Sequence, residues 1–210
     1  MGKLLFTSDL HLGHANIMKY CGRTIFMTRD DKEKYKYYLT VSEEEQRKFI
    51  VSKESVNNMN EGLIKRWNER VKNEDTIIFI GDFCFKNSQN RGEGENIKAS
   101  SWQDRLNGNI IFIKGNHDRN NTVKTRIHSL VLNIDKHYIN LVHNPIRVDV
   151  NYSLNLVGHV HNSWLCKRIK QGFSFTDAFN VGCDMHNFYP ITYDEIHNKY
   201  TKWLKEQQNA

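Results

Sequence analysis

Short apolar runs alternate with polar stretches along this chain, and each run stops abruptly. Five such runs occupy residues 4–6, 77–80, 110–113, 139–142 and 154–157. Runs of this length are too short for ordinary helices and are typical of buried β-strands. We therefore predict strands over residues 3–7, 76–80, 110–113, 136–142 and 154–157, with another over 177–181.

A different spacing of apolar residues predicts helices between these strands. One stripe recurs at intervals of three or four residues over 59–71 and consists of Leu63, Ile64, Trp67 and Val71. Shorter helices are predicted over 15–20 and 97–106, and a short helix or turn over 122–132. The polar, glycine-containing stretch 87–95 is predicted to be a loop.

Capping-box patterns mark two further helix starts. Thr192 and Glu195 have this spacing and predict a helix near the end of the chain. Its buried stripe is expected to be Ile196, Tyr200, Trp203 and Leu204. Ser42 and Glu45 repeat the pattern within the highly charged segment 28–57. At least one surface helix is expected there, and two interpretations stay open: an insertion or lid beside a functional site, or a solvated helical excursion.

The order of strand, helix and strand predicts an α/β fold, and the strand-rich second half suits a second sheet facing the first. The chain has 210 residues, which predicts a single domain over 1–210. Its composition, 39% hydrophobic and 11% aromatic, excludes a disordered protein. Four widely spaced cysteines predict reduced thiols. Without a signal-like or membrane-spanning run, we expect a soluble, cytoplasmic protein with no membrane contact.

The candidate chemistry lies where the strands end. Each of the five runs is followed by carboxylate, amide or imidazole side chains, and the candidate metal ligands are Asp9, His11, Asp82, Asn116, His143, His159 and His161. Asp9 and His11, two residues apart, are expected to leave their strand in extended geometry and point to one side. Oxygen and nitrogen donors without a thiolate suit Mn²⁺, Fe or Zn²⁺. Seven ligands exceed one tetrahedral zinc ion and suit two ions that share a carboxylate.

The motifs in chain order are Asp-x-His at 9–11, Gly-Asp at 81–82, Gly-Asn-His-Asp at 115–118, His143, and Gly-His-x-His at 158–161. This series resembles the calcineurin-like metallophosphoesterase superfamily, and the small stand-alone bacterial and phage members in particular. The resemblance implies an α/β fold with a four-layer sandwich of two facing mixed β-sheets flanked by helices. Gly81-Asp82 runs on into Phe83-Cys84-Phe85-Lys86, and His117 is followed by Asp118, unlike the pattern of serine/threonine protein phosphatases.

The resemblance also implies roles for single residues. One ion would be held by Asp9, His11, Asp82 and His161, and the other by Asp82, Asn116, His143 and His159. His117 and Asp118 would be catalytic, with His117 as the general acid and Asp118 fixing its orientation. The activity implied is hydrolysis of a phosphomonoester or phosphodiester, such as a nucleotide or cyclic nucleotide, by a hydroxide shared between two divalent ions. Mn²⁺ is the expected ion, with Fe, Zn²⁺ or Ni²⁺ as alternatives.

Substrate contacts and partners rest on weaker patterns. His14 and Arg23 follow the first motif and are candidate substrate-binding residues, although each could instead be an ordinary structural side chain. The formal charge of +6 suits phosphate-bearing ligands or nucleic acid, or reflects lysine-rich helix faces. Tyrosines and lysines alternate over 32–38, which makes a nuclease or nucleic-acid end-processing phosphatase the alternative function. A non-catalytic binding scaffold is the third hypothesis, and the oligomeric state stays open.

Overall fold

Two mixed β-sheets flanked by helices form the protein, in a computed structural model that describes residues 2–85, 97–118 and 123–208. The strands are β1 (Leu4–Thr7), β2 (Thr76–Ile80), β3 (Asn109–Ile113), β4 (Ser129–Ile134), β5 (His137–Val142), β6 (Leu154–Val157), β7 (Cys166–Gln171), β8 (Ser174–Asn180) and β9 (Ile191–Thr192). The helices are α1 (Ala15–Tyr20), α2 (Arg29–Tyr38), α3 (Glu43–Gln46), α4 (Lys53–Arg70), α5 (Ala99–Gln103) and α6 (Tyr193–Gln208). The predicted fold class is confirmed.

Parallel pairing lies at the centre of both sheets. The first sheet has the order β3-β2-β1-β9, with β9 antiparallel to β1. The second has the order β4-β5-β6-β8-β7, in which β5, β6 and β8 are parallel and both edge strands are antiparallel. Parallel neighbours place their carboxyl ends at the same edge of a sheet, where α/β proteins build their sites.

Apolar residues on the two faces of the first sheet form separate cores. One face packs against the helices, and Leu63 and Trp67 of α4 are fully buried there, as their spacing predicts. The other face packs against the second sheet, and Phe6, Ile80 and Leu141 belong to this inter-sheet core. The face-to-face arrangement of the sheets follows from strands that are apolar on both sides.

Most predicted elements are present, with shifted bounds. α4 begins six residues before the predicted start at 59 because Ser52 caps it, accepting a hydrogen bond from the Ser55 amide. α5 is shorter than the predicted helix over 97–106. The capping box at Thr192 and Glu195 opens α6 with hydrogen bonds in both directions. The predicted loop over 87–95 lies outside the described residues.

The helix or turn predicted over 122–132 is wrong in its described part. Residues 123–128 are irregular, and 129–134 form β4, which pairs with β5 along its full length. Every second residue of this segment, namely Leu130, Leu132 and Ile134, packs against the inter-sheet core. This alternation is the pattern of a strand and not of a helix. β7 was not predicted, because it is an amphipathic edge strand whose partner β8 lies across a tight turn.

The charged segment 28–57 is helical, as predicted, and it is tied to the body of the protein. The Asp31 carboxylate accepts hydrogen bonds from the Ser52 amide (2.9 Å) and from the hydroxyls of Ser52 and Ser55 (2.6 Å each). These bonds join α2 to the start of α4. The role of the segment as a lid stays a prediction. None of the helices in the described ranges has the length and apolar character needed to cross a membrane.

Replacement of Asp31 tests this tie. Asp31→Asn should lower the free energy of unfolding by about 2 kcal/mol at pH 7, since a charged acceptor of several hydrogen bonds is lost. Burial opposes ionisation, but the hydrogen bonds from Ser52 and Ser55 lower the pKa of Asp31. Its contribution is therefore complete above the ordinary carboxyl value of about 3.9 and is lost as the pH falls below it.

Urea unfolding at pH 7 and pH 3 measures both effects. The neighbouring Asp30→Asn is the matched control, because the Asp30 side chain is 76% exposed and its loss should change little. Equal losses for the two variants, or a loss at Asp31 that does not shrink toward pH 3, would contradict the assignment.

Candidate metal centre

All seven predicted ligands meet at one edge of the two sheets. In the first sheet, Asp9 and His11 follow β1, Asp82 follows β2 and Asn116 follows β3. In the second sheet, His143 follows β5, and His159 and His161 follow β6. Asp9, His11, Asp82 and His143 are buried, and Asn116, His159 and His161 are partly exposed. Strand ends from both sheets therefore contribute to one cluster.

The backbone at these ligands is not extended, contrary to the prediction for Asp9 and His11. Their φ angles are 59° and 51°, and Asp82, His159 and His161 also have positive φ. Left-handed conformations are unusual for residues other than glycine and cluster at functional sites. At each of these residues the chain therefore leaves the extended geometry of its strand.

Among the described residues, three groups of donor atoms have the spacing of metal sites, and two of them consist of predicted ligands, while the third is formed by Cys21, His161 and Asp184. In the first, donor atoms of Asp9, His11 and His161 all lie within 4.8 Å of one another. In the second, the same holds for Asp82, His143 and His159. Asn116 belongs with the second group, since its Oδ1 lies 2.9 Å from His143 Nε2 and 2.8 Å from His159 Nδ1.

One carboxylate oxygen faces both groups. Asp82 Oδ2 lies 3.6 Å from His11 Nε2 and 3.3 Å from His143 Nε2. The other oxygen, Oδ1, accepts a hydrogen bond of 2.8 Å from the His117 amide. Asp82 is therefore held in place by one oxygen while the other is shared between the two groups.

The donor set fits divalent metal ions. Asp9 Oδ1 and His11 Nε2 are buried without a hydrogen-bond partner, and 3.9 Å separates them. Unpaired buried polar atoms are rare and costly. This spacing is too long for a hydrogen bond but suits two donors that each lie about 2.1 Å from a shared ion.

The electrostatics differ between the two groups of donors. Burial would lower the pKa of His143, but the hydrogen bond to Asp82 and the charge of Asp9 raise it to about 9. Burial and the neighbouring His14 and Arg23 lower the pKa of His11 well below its usual value, which keeps this imidazole neutral. A neutral imidazole is the form that binds a metal.

Glycines let the loops approach these ligands closely. A Cβ added at Gly158 would lie 2.5 Å from Ser8 Oγ and 2.6 Å from Asp9 Oδ2. A Cβ added at Gly115 would collide with the backbone and carboxylate of Asp82. The glycines of the Gly-Asn-His-Asp and Gly-His-x-His motifs are thus required by packing against the ligands.

His117 and Asp118 lie at different depths. His117 is exposed, and its ring centroid is 5.3 Å from that of His11. Asp118 is buried, and its carboxylate accepts hydrogen bonds from the amides of Asp82 (2.8 Å), Gly115 (2.9 Å) and Phe83 (3.2 Å). Among the described contacts, Asp118 thus fixes the loop that carries His117 and makes no hydrogen bond to its ring.

His14 lies beside the first group of candidate ligands, and its role in substrate binding stays a prediction. Its Nδ1 is 3.2 Å from His11 Nδ1, and its ring stacks on Phe85 at 4.1 Å. Phe85 also contacts the His117 ring, with 5.6 Å between centroids. The sequence analysis did not single out Phe85, because an aromatic residue after Gly-Asp has no distinctive spacing.

Arg23 is not at the surface, which corrects its prediction as a substrate contact. It is only 1% exposed, and its guanidinium donates to both carboxylate oxygens of Asp184 at 2.8 Å. It also donates to the backbone carbonyls of Asp9 (2.7 Å) and Leu10 (2.8 Å). Arg23 therefore stabilises the backbone of the Asp-x-His motif through these hydrogen bonds.

Asp184 is a residue that the sequence analysis did not assign to the site. Its Oδ2 lies 3.2 Å from His161 Nδ1, so it links this ligand to Arg23. Burial opposes ionisation of Asp184, but the charge of Arg23 and the hydrogen bond to His161 hold its pKa well below the usual range. A carboxylate behind a metal-binding imidazole fixes the ring orientation and its tautomer.

The fold and the site together define a two-sheet α/β protein with a candidate two-metal centre. The chain belongs to the calcineurin-like phosphoesterase family, whose model matches residues 2–209. The predicted family membership is confirmed.

Two individual proteins are similar to this chain over most of its length. An uncharacterized protein from Methanocaldococcus jannaschii is 30% identical over 200 residues, which cover 93% of this chain and 90% of that protein. A crystal structure of a protein of unknown function from Aquifex aeolicus superposes with a TM-score of 0.57 and 17% identity, covering 94% of this chain and 99% of the other. The second similarity shows a shared fold.

The buried pair of Arg23 and Asp184 gives a stability prediction. Asp184→Ala leaves the guanidinium buried without its counter-charge and should cost about 3 kcal/mol or more. The control is Glu61→Ala, which removes the partner of Arg105 from an exposed pair and should cost less than about 1 kcal/mol. Denaturant unfolding with chelator present measures both without a contribution from bound metal. A loss at Asp184 no larger than at Glu61 would show that the pair is not structural.

Proposed function

We propose that this protein hydrolyses phosphate esters with two divalent metal ions, Mn²⁺ being the first choice. The observation that carries the proposal is the position of Asp82 Oδ2, which faces His11 on one side and His143 on the other. Asp9, His11, Asp82 and His161 would hold one ion. Asp82, Asn116, His143 and His159 would hold the other.

The metal ions and the side chains of the protein would contribute differently to the reaction. When bound, two divalent ions would activate a water molecule and would neutralise phosphate oxygens during the displacement. The side chains of the chain hold this arrangement in a buried setting, where electrostatic interactions are stronger than in water. The family establishes a phosphoesterase type, and the ester that is cleaved and the two-ion mechanism are our proposal.

The exposed position of His117 supports its proposed role at the leaving group. It is exposed, while its neighbour His11 is 1% exposed, so its ring lies at the open side of the ligand cluster. Its amide donates to Asp82, which fixes the distance between the shared carboxylate and the histidine backbone. From this position the imidazole would give a proton to the departing oxygen as a general acid.

Nothing specific in the structure favours nucleic acid at the tyrosine- and lysine-rich stretch over 32–38. Lys34 pairs with Asp30 and Lys36 with Glu33 on the same helix, so these lysines add little free positive charge. Tyr35 and Tyr38 stack on each other, with 5.4 Å between their centroids. We therefore keep the general phosphoesterase as the proposed function.

Activity of variants tests the assignment. With Mn²⁺, the wild-type protein should cleave bis(p-nitrophenyl) phosphate or p-nitrophenyl phosphate, and chelator should abolish turnover. Because the general acid is lost, His117→Ala should lower kcat by about 100-fold or more on an ester whose leaving group needs a proton, such as phenyl phosphate, and by less on the p-nitrophenyl esters. His197→Ala, on the exposed side of α6, is the matched histidine control and should not differ from wild type. Faster cleavage of bis(p-nitrophenyl) phosphate would indicate a diesterase, and faster cleavage of p-nitrophenyl phosphate a monoesterase. Cleavage of neither ester with Mn²⁺, Fe, Zn²⁺ or Ni²⁺ would overturn the proposal.

Metal content separates ligands from the acid. Asp82→Asn should lose both ions, since the shared oxygen is replaced by a poor ligand, whereas His117→Ala should keep them. Elemental analysis after gel filtration measures the stoichiometry. Added Mn²⁺ should raise the Tm of wild type and His117→Ala but not of Asp82→Asn, because a ligand stabilises only the folded state that binds it. Two ions retained by Asp82→Asn would contradict the shared-ligand assignment.

A further inference from the structure

A cavity of about 220 Å³ opens directly beside the candidate metal centre. Asn116 and His143, both candidate ligands of the second ion, form part of its wall. Lys114, His128 and Arg147 also line it. The volume equals that of several water molecules, which is enough for a phosphate group.

The lining of this cavity is cationic and uncompensated. None of the described residues that line it is an aspartate or glutamate. Within the described ranges, the side chains of Lys114, His128 and Arg147 have no hydrogen-bond or ion-pair partner. Some other arginines of this chain are paired, such as Arg70 with Glu195 and Arg168 with Asp177. Lys114 and Arg147 are the cations of this lining, and unpaired cations around a concave surface favour an anionic ligand.

The backbone holds these residues in place. Arg147 ends a short 3-10 turn over Pro145–Arg147, which begins two residues after His143. Asn144 caps this turn by accepting a hydrogen bond of 3.0 Å from the Ile146 amide. On the opposite wall, the Lys114 amide donates to the Ile127 carbonyl at 2.8 Å, which brings the end of β3 next to His128. The cavity is thus built on fixed turns and strand ends.

The two metal ions would already neutralise the phosphate that reacts, so further cations beside them imply further negative charge on the substrate. We propose that the cavity is a subsite for a second phosphate of the substrate, held by Lys114, His128 and Arg147. This inference rests on the proposed function, because the metal centre supplies the place of the reacting phosphate. The natural substrate is then a phosphate ester with another phosphate close to the one that is cleaved.

Two sources supply this chemistry. In a nucleoside diphosphate the second phosphate is joined through an anhydride oxygen, and in a nucleic-acid strand it is the neighbouring phosphate across a sugar. Guanidinium and ammonium groups bind both through charge-assisted hydrogen bonds, and arginine can do so with two parallel bonds.

Calorimetric titration of the Mn²⁺-loaded protein tests the subsite and its source without needing turnover. One arm compares AMP with adenosine 5′-(α,β-methylene)diphosphate. The other compares thymidine 5′-monophosphate with thymidine 3′,5′-bisphosphate. The second phosphate should tighten binding by about tenfold or more in at least one arm, and the gain should shrink as salt is raised. The arm that shows the gain identifies the source.

Variants localise the gain. Arg147→Gln and Lys114→Gln should each remove most of it, so that the one- and two-phosphate ligands bind alike. Arg126→Gln is the matched control, since Arg126 is a nearby exposed arginine outside the cavity lining, and it should keep the full gain. Equal affinity within both pairs of ligands, or a gain that survives in both Arg147→Gln and Lys114→Gln, would overturn the proposal. Because chromogenic esters test hydrolysis separately, failure of the subsite and failure of the proposed function give different results.

Discussion

Face-to-face packing of two β-sheets is the constraint on which the site depends. Phe6, Ile80 and Ile113 of the first sheet share one buried cluster with Leu141 and Leu156 of the second. Burial of each such side chain contributes about 2 kcal/mol. This packing fixes the carboxyl ends of five strands at one edge, so side chains from position 9 to position 161 meet. The ligands therefore need no attraction for one another, and the like charges of Asp9 and Asp82 are held close by apolar burial elsewhere.

In the loops that follow the strands, several residues have backbone conformations that their residue types disfavour. Asp9, His11 and Asp82 have left-handed backbones, and each costs on the order of 1 kcal/mol. Hydrogen bonds between loops compensate: the amides of Asp9 and His11 donate to the carbonyls of Gly81 and Asp82 at 3.0 and 3.1 Å. The Asp118 carboxylate binds amides of both the β2 and the β3 loop. Donor atoms are thus preorganised by the protein, so an ion that binds does not have to order them.

Local patterns point to the candidate ligands because each of them follows a strand, and a short apolar run followed by Asp or His can be read from the sequence. They do not reveal what supports the ligands. Arg23 and Asp184 are 161 residues apart and meet only in the folded protein, so no spacing could distinguish this buried arginine from an exposed one. β4 was missed for a different reason. Its alternation of Leu130, Leu132 and Ile134 is a strand pattern, but the polar residues before it favoured a helix or turn in the sequence analysis.

The two sides of the candidate metal centre differ in chemistry, and this difference would orient the proposed substrate. On the His11 side, His14 stacks on Phe85, and burial together with the charges of His117 and Arg23 lowers the pKa of His14 to about 3. That side presents a neutral aromatic surface next to the exposed His117. The opposite side carries the unpaired cations around the cavity. An ester with a charged part and an apolar part has its lowest energy with the charged part in the cavity, since a phosphate loses more by leaving water without a counter-charge. In a diester whose second phosphate belongs to the part that stays on the reacting phosphorus, the leaving group would then lie toward His117, where the proton is needed.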